Sequence, residues 1–151
     1  NYSPQLIENL SSISHAPRYG SRSPTGSYVA TCTESHQLAG FFTLSAAQVS
    51  VNQLPDELKK KLPRYPTVPA VRIGRLAVDK KFQGQGLGST LLINAIFRIQ
   101  HSDIAAYAVI VDAKDDKAME FYRHHGFLDL NAGERTLFVS MSEFAKAFAL
   151  V

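Results

Sequence analysis

Three glycines at alternate positions, Gly84, Gly86 and Gly88, separate a β-favouring run from an apolar helical pattern. The stretch reads Arg75–Leu76–Ala77–Val78–Asp79–Lys80–Lys81–Phe82–Gln83–Gly84–Gln85–Gly86–Leu87–Gly88–Ser89. Beyond the loop, Leu87, Leu91, Ala95 and Ile99 fall on one helical face. A strand that turns through glycines into a helix start is a ready anion site. The glycines let the backbone approach a phosphate, and the N–H groups of the first helical turn face it. A plain strand–turn–helix connection is the competing reading. No Gly-Lys-Ser/Thr follows, so this is not a P-loop, and Gln83-x-x-Gly86-x-Gly88 lacks the dinucleotide-binding spacing. The sharper expectation is a phosphate-bearing ligand on Gln83, Gly84, Gln85, Gly86, Leu87, Gly88 and Ser89.

The rest of the chain reads as a single domain over residues 1–151, with an atypical stretch at 1–27. Residues 5–10 suggest a strand or a short helix, and 11–27, rich in Ser, Pro, Arg and Gly, suggest a loop. Tyr28–Thr33 and Leu38–Leu44 have the pattern of a β-hairpin. Pro55–Leu62 reads as a short helix, with Pro55, Asp56 and Glu57 at its positive end, lysines at the other, and Pro63 stopping it. Val68–Val78 is β-rich, but Pro69 and Gly74 suit an edge, a bulge or a splay better than a regular central strand. Helices are expected over 88–100 and 115–124. Between them Ile104–Val111 is almost wholly apolar, the expected buried central strand. Phe127–Leu130 and Thr136–Met141 suggest a closing hairpin, and Ser142 a cap for a last helix through Leu150. The fold class is α/β (α+β), with one mixed, mostly antiparallel central sheet and flanking helices.

Composition narrows the function classes. At 45% hydrophobic and 19% charged over 151 residues, the chain can bury a core and is no disordered tail. A formal net charge of +3 permits a polyanionic ligand without demanding one. Cys32 is the only cysteine, so no intrachain disulfide forms, which suits a reducing cytosol. Its neighbours Tyr28–Thr31 suggest a strand and a buried structural thiol. No apolar run reaches membrane-spanning length, and no charged-then-apolar leader opens the sequence. No His, Cys and carboxylate spacing suggests a metal.

A second motif is Val111–Asp112–Ala113–Lys114–Asp115–Asp116–Lys117–Ala118–Met119–Glu120–Phe121–Tyr122–Arg123–His124–His125–Gly126–Phe127. On a helix, Ala118 and Tyr122 share a face, and the small Ala118 leaves room for a ligand; ordinary packing is the alternative. Together the two motifs resemble those of the GNAT family of N-acetyltransferases. The first matches its Gln/Arg-x-x-Gly-x-Gly/Ala pyrophosphate loop. The second matches its Ala-x-x-Phe-Tyr-x-x-x-Gly-Phe helix, which follows an apolar strand. Leu38–Ser45, Leu62–Ala70 and Arg72–Asp79, read together, are similar to the acetyltransferase toxins of bacterial type II toxin–antitoxin modules. This resemblance covers Leu38 to about Met141.

The resemblance implies acetyl-CoA as co-substrate with no metal, and Tyr122 as general acid. It also implies Asp115, Ala118 and Phe121 beside the thiol end, although many relatives carry Asn where Asp115 stands. It further implies an aminoacyl-tRNA acceptor, a ribbon–helix–helix antitoxin, frequent homodimers and a bacterial cytoplasmic setting. One departure weakens the acceptor side. Relatives carry a longer stretch before the strand at Tyr28–Thr33, with a Phe-Asp-Cys-Gly-like turn and a helix, and Ser14–Ser27 is too short for either.

The residues can support amine acetylation. Leu76, Ala77 and Val78 are placed to hold the pantetheine arm by β-like pairing. A backbone N–H near Val78 can meet the developing oxyanion. A thiol pKa of about 8.5 and a tyrosine near about 10 are close enough for proton transfer from Tyr122. An α-amino group titrates at about 7.7–8.0, and lower beside an ester, so no strong base is needed. Candidate phosphate contacts are Lys59, Lys60, Lys61, Arg64, Arg72, Arg75 and Arg123. Arg72 and Arg75 come from a β-rich run where charge is unusual, with a salt bridge as the plainer role. His124 and His125 read as helix-end caps. Two alternatives stay open beside the tRNA toxin: an N-acetyltransferase of a small amine or protein N-terminus, and a non-catalytic acetyl-CoA- or partner-binding domain.

Overall fold

The computed structural model describes residues 13–15, 25–62, 64–130 and 135–148. Among the described residues, seven strands follow the order β1-β2-β3-β4-β5-β7-β6. They are β1 (Ile13–His15), β2 (Gly26–Thr31), β3 (Leu38–Ser50), β4 (Thr67–Val78), β5 (Ala108–Asp112), β6 (Leu128–Asp129) and β7 (Thr136–Ser140). The α-helices are α1 (Asp56–Lys59), α2 (Leu87–Gln100), α3 (Asp116–His124) and α4 (Met141–Phe148). Contacts divide the chain into two units, Asn1–Ser45 with Ile73–His101 and Ala46–Arg72 with Ser102–Val151, and β3 and β4 contribute to both.

In the first unit β1 pairs antiparallel with β2, placing Ile13 opposite Ala30. The strand at Ile13–His15 corrects the expectation of loop throughout 11–27. Composition misled there, because Ile13 is buried and its strand mates with the inward-facing Ala30. The expected element at 5–10 lies outside the described residues. β2 pairs antiparallel with the first half of β3, Gly26 opposite Leu44 and Thr31 opposite Leu38, with a register shift at Ala30/Thr31. Helix α2 buries Leu87, Leu91, Ala95 and Ile99, the expected face, widened by Leu92 and Ile96. Near its C-terminal end Arg98 lies over the Tyr28 ring, 4.7 Å from the centroid, and donates to the Ile13 carbonyl at 3.0 Å.

Gly40 marks the closest approach in this unit. A Cβ there would lie 2.7 Å from the Ala77 carbonyl oxygen and 2.9 Å from Leu91 Cδ1. One neighbour is backbone, so the clash cannot be relieved by a rotamer change. Gly40→Ala is therefore expected to destabilise by about 1–3 kcal/mol, read as a lower urea midpoint. An unchanged midpoint would show that the strands and α2 separate freely here.

In the second unit β5 pairs antiparallel with β7 along its whole length, from Ala108 opposite Ser140 to Asp112 opposite Thr136. The expected hairpin forms, with Leu128 of β6 opposite Phe138 of β7. The core gathers Val49, Leu54, Val68, Ile110, Leu130 and Phe138. β5 begins later than the apolar run predicts. The Ser102 hydroxyl takes the Ile104 N–H at 3.2 Å, holding the start of the run in a turn, and Ile104 is 80% exposed.

Of the edge, bulge or splay expected at Val68–Val78, the edge is corrected, since β4 lies between β3 and β5. Pro69 has no N–H to give, but its carbonyl accepts from the Tyr107 N–H at 2.8 Å. Helix α4 starts earlier than expected, and Ser140, not Ser142, caps it by accepting from the Glu143 N–H at 3.2 Å. Its expected end at Leu150, and Pro63 as a helix stop, fall outside the described residues.

Candidate active site

The first unit carries the glycine loop. Along β4, a Cβ at Gly74 would lie 2.9 Å from Thr43 Oγ1. That oxygen accepts the Arg75 N–H at 3.0 Å. The strand then presents Leu76 and Val78, half-buried, and Ala77, exposed. At its end the Asp79 N–H donates to the Ala39 carbonyl at 2.8 Å. The Asp79 carboxylate accepts from the Lys81 N–H at 2.9 Å and shapes the 3-10 turn Lys80–Phe82. Gln83 turns back, its Nε2 donating to the Val78 carbonyl at 3.1 Å.

Gly84 and Gly86 both have φ of 80°, the left-handed region that suits glycine. Gly86 is the N-cap of α2 and has no side chain to cap with, while its carbonyl accepts from both the Thr90 N–H (3.1 Å) and Thr90 Oγ1 (3.2 Å). The N–H groups of Leu87 and Gly88 therefore have no acceptor within the helix. Residues 83–86 are exposed, and a Cβ at Gly84 would meet nothing within 4 Å. An open loop with bare positions at Gly84 and Gly86 that ends in helix N–H groups fits a pyrophosphate. Sequence reasoning passed over Asp79 and Thr90, which hold this loop's shape, and Thr43, which ties the strand before it. The Asp79-x-Lys81 spacing was the signal for the first turn.

The second unit carries the tyrosine. After β5 the Ala113 N–H donates to the Arg135 carbonyl at 2.8 Å. Asp115 is the N-cap of α3, and its carboxylate accepts from the Ala118 N–H at 2.8 Å. That capping duty accounts for an aspartate at this position. Arg135 pairs with Asp116 at 3.3 Å. At the far end Arg123 grips Asp129 through Nε (3.1 Å) and Nη2 (2.9 Å), and His125 Nδ1 lies 2.8 Å from the Phe121 carbonyl. The reading of His125 as a helix-end group agrees with this contact. Ala118 and Phe121 are half-buried.

Tyr122 is 7% exposed, with its ring 5.2 Å from Phe121 and 5.4 Å from Phe127. Burial pushes its pKa up to about 12. The phenol is thus protonated throughout the physiological range. The folded value exceeds the unfolded one, so this contribution to stability is complete below about pH 10 and is lost as pH rises towards 12. Wild type should lose about 2–3 kcal/mol over that window relative to Tyr122→Phe, measured by urea unfolding at stepped pH. Parallel profiles for the two proteins would mean that Tyr122 titrates as in water.

The candidate cations divide. Arg72 is ion-paired with Asp112, which also accepts from the Thr136 hydroxyl at 2.8 Å, and Arg123 is held by Asp129. Lys59 lies 3.7 Å from Asp56. Lys60, Lys61, Arg64 and Arg75 are exposed and make no ion pair among the described residues. Cys32 lies beyond the end of β2 in a turn and is half-buried. Hydrogen bonds from the Ser35 side chain and backbone hold its thiol below its usual pKa. The expectation of a buried strand thiol is therefore corrected.

Among the described residues, no helix is long and apolar enough to cross a membrane, and no group of three or more His, Cys, Asp or Glu is placed to hold a metal ion.

Comparison with known proteins bears on both motifs. A tRNA-acetylating toxin of Mycobacterium tuberculosis is 39% identical over 99 residues, covering 64% of this chain and 58% of that protein. The chain thus matches less than two thirds of that relative's length. The structure of AtaT complexed with acetyl-methionyl-tRNAfMet superposes with a TM-score of 0.75 at 30% identity, covering 83% of this chain and 76% of that one. A mutant of the AtaT toxin, bound to the C-terminus of the antitoxin AtaR and acetyl-CoA, superposes at 0.67 with 25% identity, covering 82% and 72%. The model of the acetyltransferase (GNAT) family matches residues 4–127, which take in the glycine loop, Tyr122 and the Gly126–Phe127 end of the second motif. With both motifs inside that span, and with the strand, loop and capped helix that each requires, the chain belongs to the acetyltransferase (GNAT) family.

Proposed function

We propose that this chain transfers the acetyl group of acetyl-CoA to the α-amino group of an aminoacyl-tRNA, and so arrests translation. The observation that carries the proposal is the loop with Gly84 and Gly86 at positive φ opening onto the uncapped start of α2. Its backbone is suited to the cofactor's pyrophosphate, with Gln83 to Ser89 as the contacts and Leu76 to Val78 as the strand for the pantetheine arm. Ala118 and Phe121 lie on the helix that bears Tyr122. Asp115 serves that helix as its cap.

Acetyl-CoA, when bound, supplies an activated acyl carbon and a thiolate leaving group. The amine nitrogen forms the new C–N bond as the C–S bond breaks, Tyr122 gives its phenolic proton to the sulfur, and the proton the amine sheds passes to water, from which the phenolate is reprotonated. The amine needs less help than a lysine would, because an α-amino group titrates at about 7.7–8.0 and the neighbouring ester lowers that, which enlarges its neutral fraction at pH 7. Of the seven candidate cations, Arg64, Arg75, Lys60 and Lys61 are left without an ion pair among the described residues and serve RNA phosphates. The relatives that act on tRNA, and the toxin bound to an antitoxin, support this reading and a matching antitoxin of ribbon–helix–helix type here. A homodimer in a bacterial cytoplasm completes the proposal.

A smaller acceptor, an amine metabolite or protein N-terminus, is favoured by one observation. Arg72 and Arg123, two of the expected phosphate contacts, are already ion-paired. Cell-free translation decides between the two. Arrest that requires acetyl-CoA, and is reversed by fresh charged tRNA, supports the tRNA acceptor. Undiminished translation alongside acetylation of small amines supports the other.

A further inference from the structure

The second unit has a cleft with no part in the chemistry above. It is an open cavity of about 460 Å³ beside α1, lined by Asn52, Lys59, Leu62, Tyr65, Pro66 and Thr67 among others. Three features of it belong together. Tyr65 is 61% exposed, a large aromatic ring that the core does not use. Leu62 is half-buried against the core and with Pro66 gives the cleft an apolar wall, while Asn52 and Thr67 offer hydrogen-bonding edges. Of the cations, Lys59 lines the cleft, 3.7 Å from Asp56, and the exposed Lys60, Lys61 and Arg64 neighbour it in sequence. The backbone pins the cleft in place: the Val51 N–H donates to the Pro66 carbonyl at 3.0 Å, and the Tyr65 N–H to the Leu62 carbonyl at 3.3 Å.

We infer that this cleft binds an unpaired nucleotide of single-stranded RNA. The base stacks on Tyr65, and the flanking phosphates meet Lys60, Lys61 and Arg64. A flat π-face beside cations and an apolar wall is how proteins hold unpaired bases, and the cavity lies within the size range of small-ligand sites. Duplex RNA does not fit this description, because its bases are stacked inward and offer no free face. An acidic peptide would satisfy the cations but would leave the tyrosine face and the apolar wall without a role. The inference rests on the proposed acceptor only in supplying the RNA: a charged tRNA brings a single-stranded end to the protein.

The test is fluorescence anisotropy with a labelled single-stranded RNA of about eight nucleotides, the full chain and no acetyl-CoA. Tyr65→Ala should weaken binding by about tenfold or more, Tyr65→Phe should bind within about twofold of wild type, and exchanging Lys60 and Lys61 for Gln should flatten the salt dependence. Because Tyr65 is exposed, thermal melts of its variants should match wild type. Equal binding by Tyr65→Ala and wild type would overturn the inference. So would a wild-type protein that acetylates charged tRNA yet never binds the oligonucleotide, or an acidic peptide that binds in a Tyr65-independent way while RNA does not. Tyr65-dependent binding by a protein that acetylates no tRNA would support the cleft and remove the acceptor proposal instead.

Discussion

Tyr122→Phe should lower kcat about 10²-fold or more and leave the acetyl-CoA Kd within about twofold. The substitution keeps the ring that packs against Phe121 and Phe127 and removes only the hydroxyl. The buried environment sharpens the expectation drawn from reference pKa values. With the phenol at about 12, full proton transfer to a thiolate of about 8.5 is uphill, so donation strengthens only as charge gathers on sulfur. The effect should therefore fall on turnover rather than on binding. The alkaline limb of the rate profile should not reflect Tyr122 ionising below about pH 11. A Phe variant with full turnover would mean that water protonates the thiolate and that Tyr122 only packs.

Gly86→Asp should weaken acetyl-CoA binding by at least about tenfold, measured by calorimetry. Two causes act together. The position has φ of 80°, where an L side chain is strained. The new carboxylate would also stand at the start of α2, beside the N–H groups of Leu87 and Gly88, where it competes with phosphate oxygens. Gly84→Ala separates the two causes, because its Cβ meets nothing within 4 Å and it adds no charge. It should show the backbone strain with a smaller loss of affinity. If Gly86→Asp folds and binds acetyl-CoA as tightly as wild type, the phosphates do not use this loop.

What could be read from the sequence was local. The glycine spacing, the Leu87–Leu91–Ala95–Ile99 face and the Asp115 to His124 helix depend on a few adjacent residues, and the structure has them with boundaries moved by a residue. What escaped turns on which partner each group takes, some of them distant in sequence and some only a few residues away. Nothing near Pro69 says that β4 has neighbours on both sides, since that is decided by β3 and β5. Ile104 looks like core until the Ser102 hydroxyl is seen to hold it in a turn. The arginines of the acceptor reading show the same limit. Arg72 and Arg123 are as basic as Arg75 in the sequence, but Asp112 and Asp129 claim them only once the strands are assembled. Tyr122 was legible as a residue but not in its pKa, which burial sets.

The central claim, acetyl transfer to the amino group of aminoacyl-tRNA, is tested most directly on the product. Aminoacyl-tRNA is incubated with the protein and acetyl-CoA and digested with ribonuclease, and the terminal aminoacyl-adenosine is examined by mass spectrometry. The account predicts an acetyl group on the α-nitrogen of the amino acid, formed with wild type and reduced about 10²-fold in initial rate with Tyr122→Phe. An unmodified aminoacyl-adenosine, from a protein that binds acetyl-CoA and acetylates small amines, would contradict it.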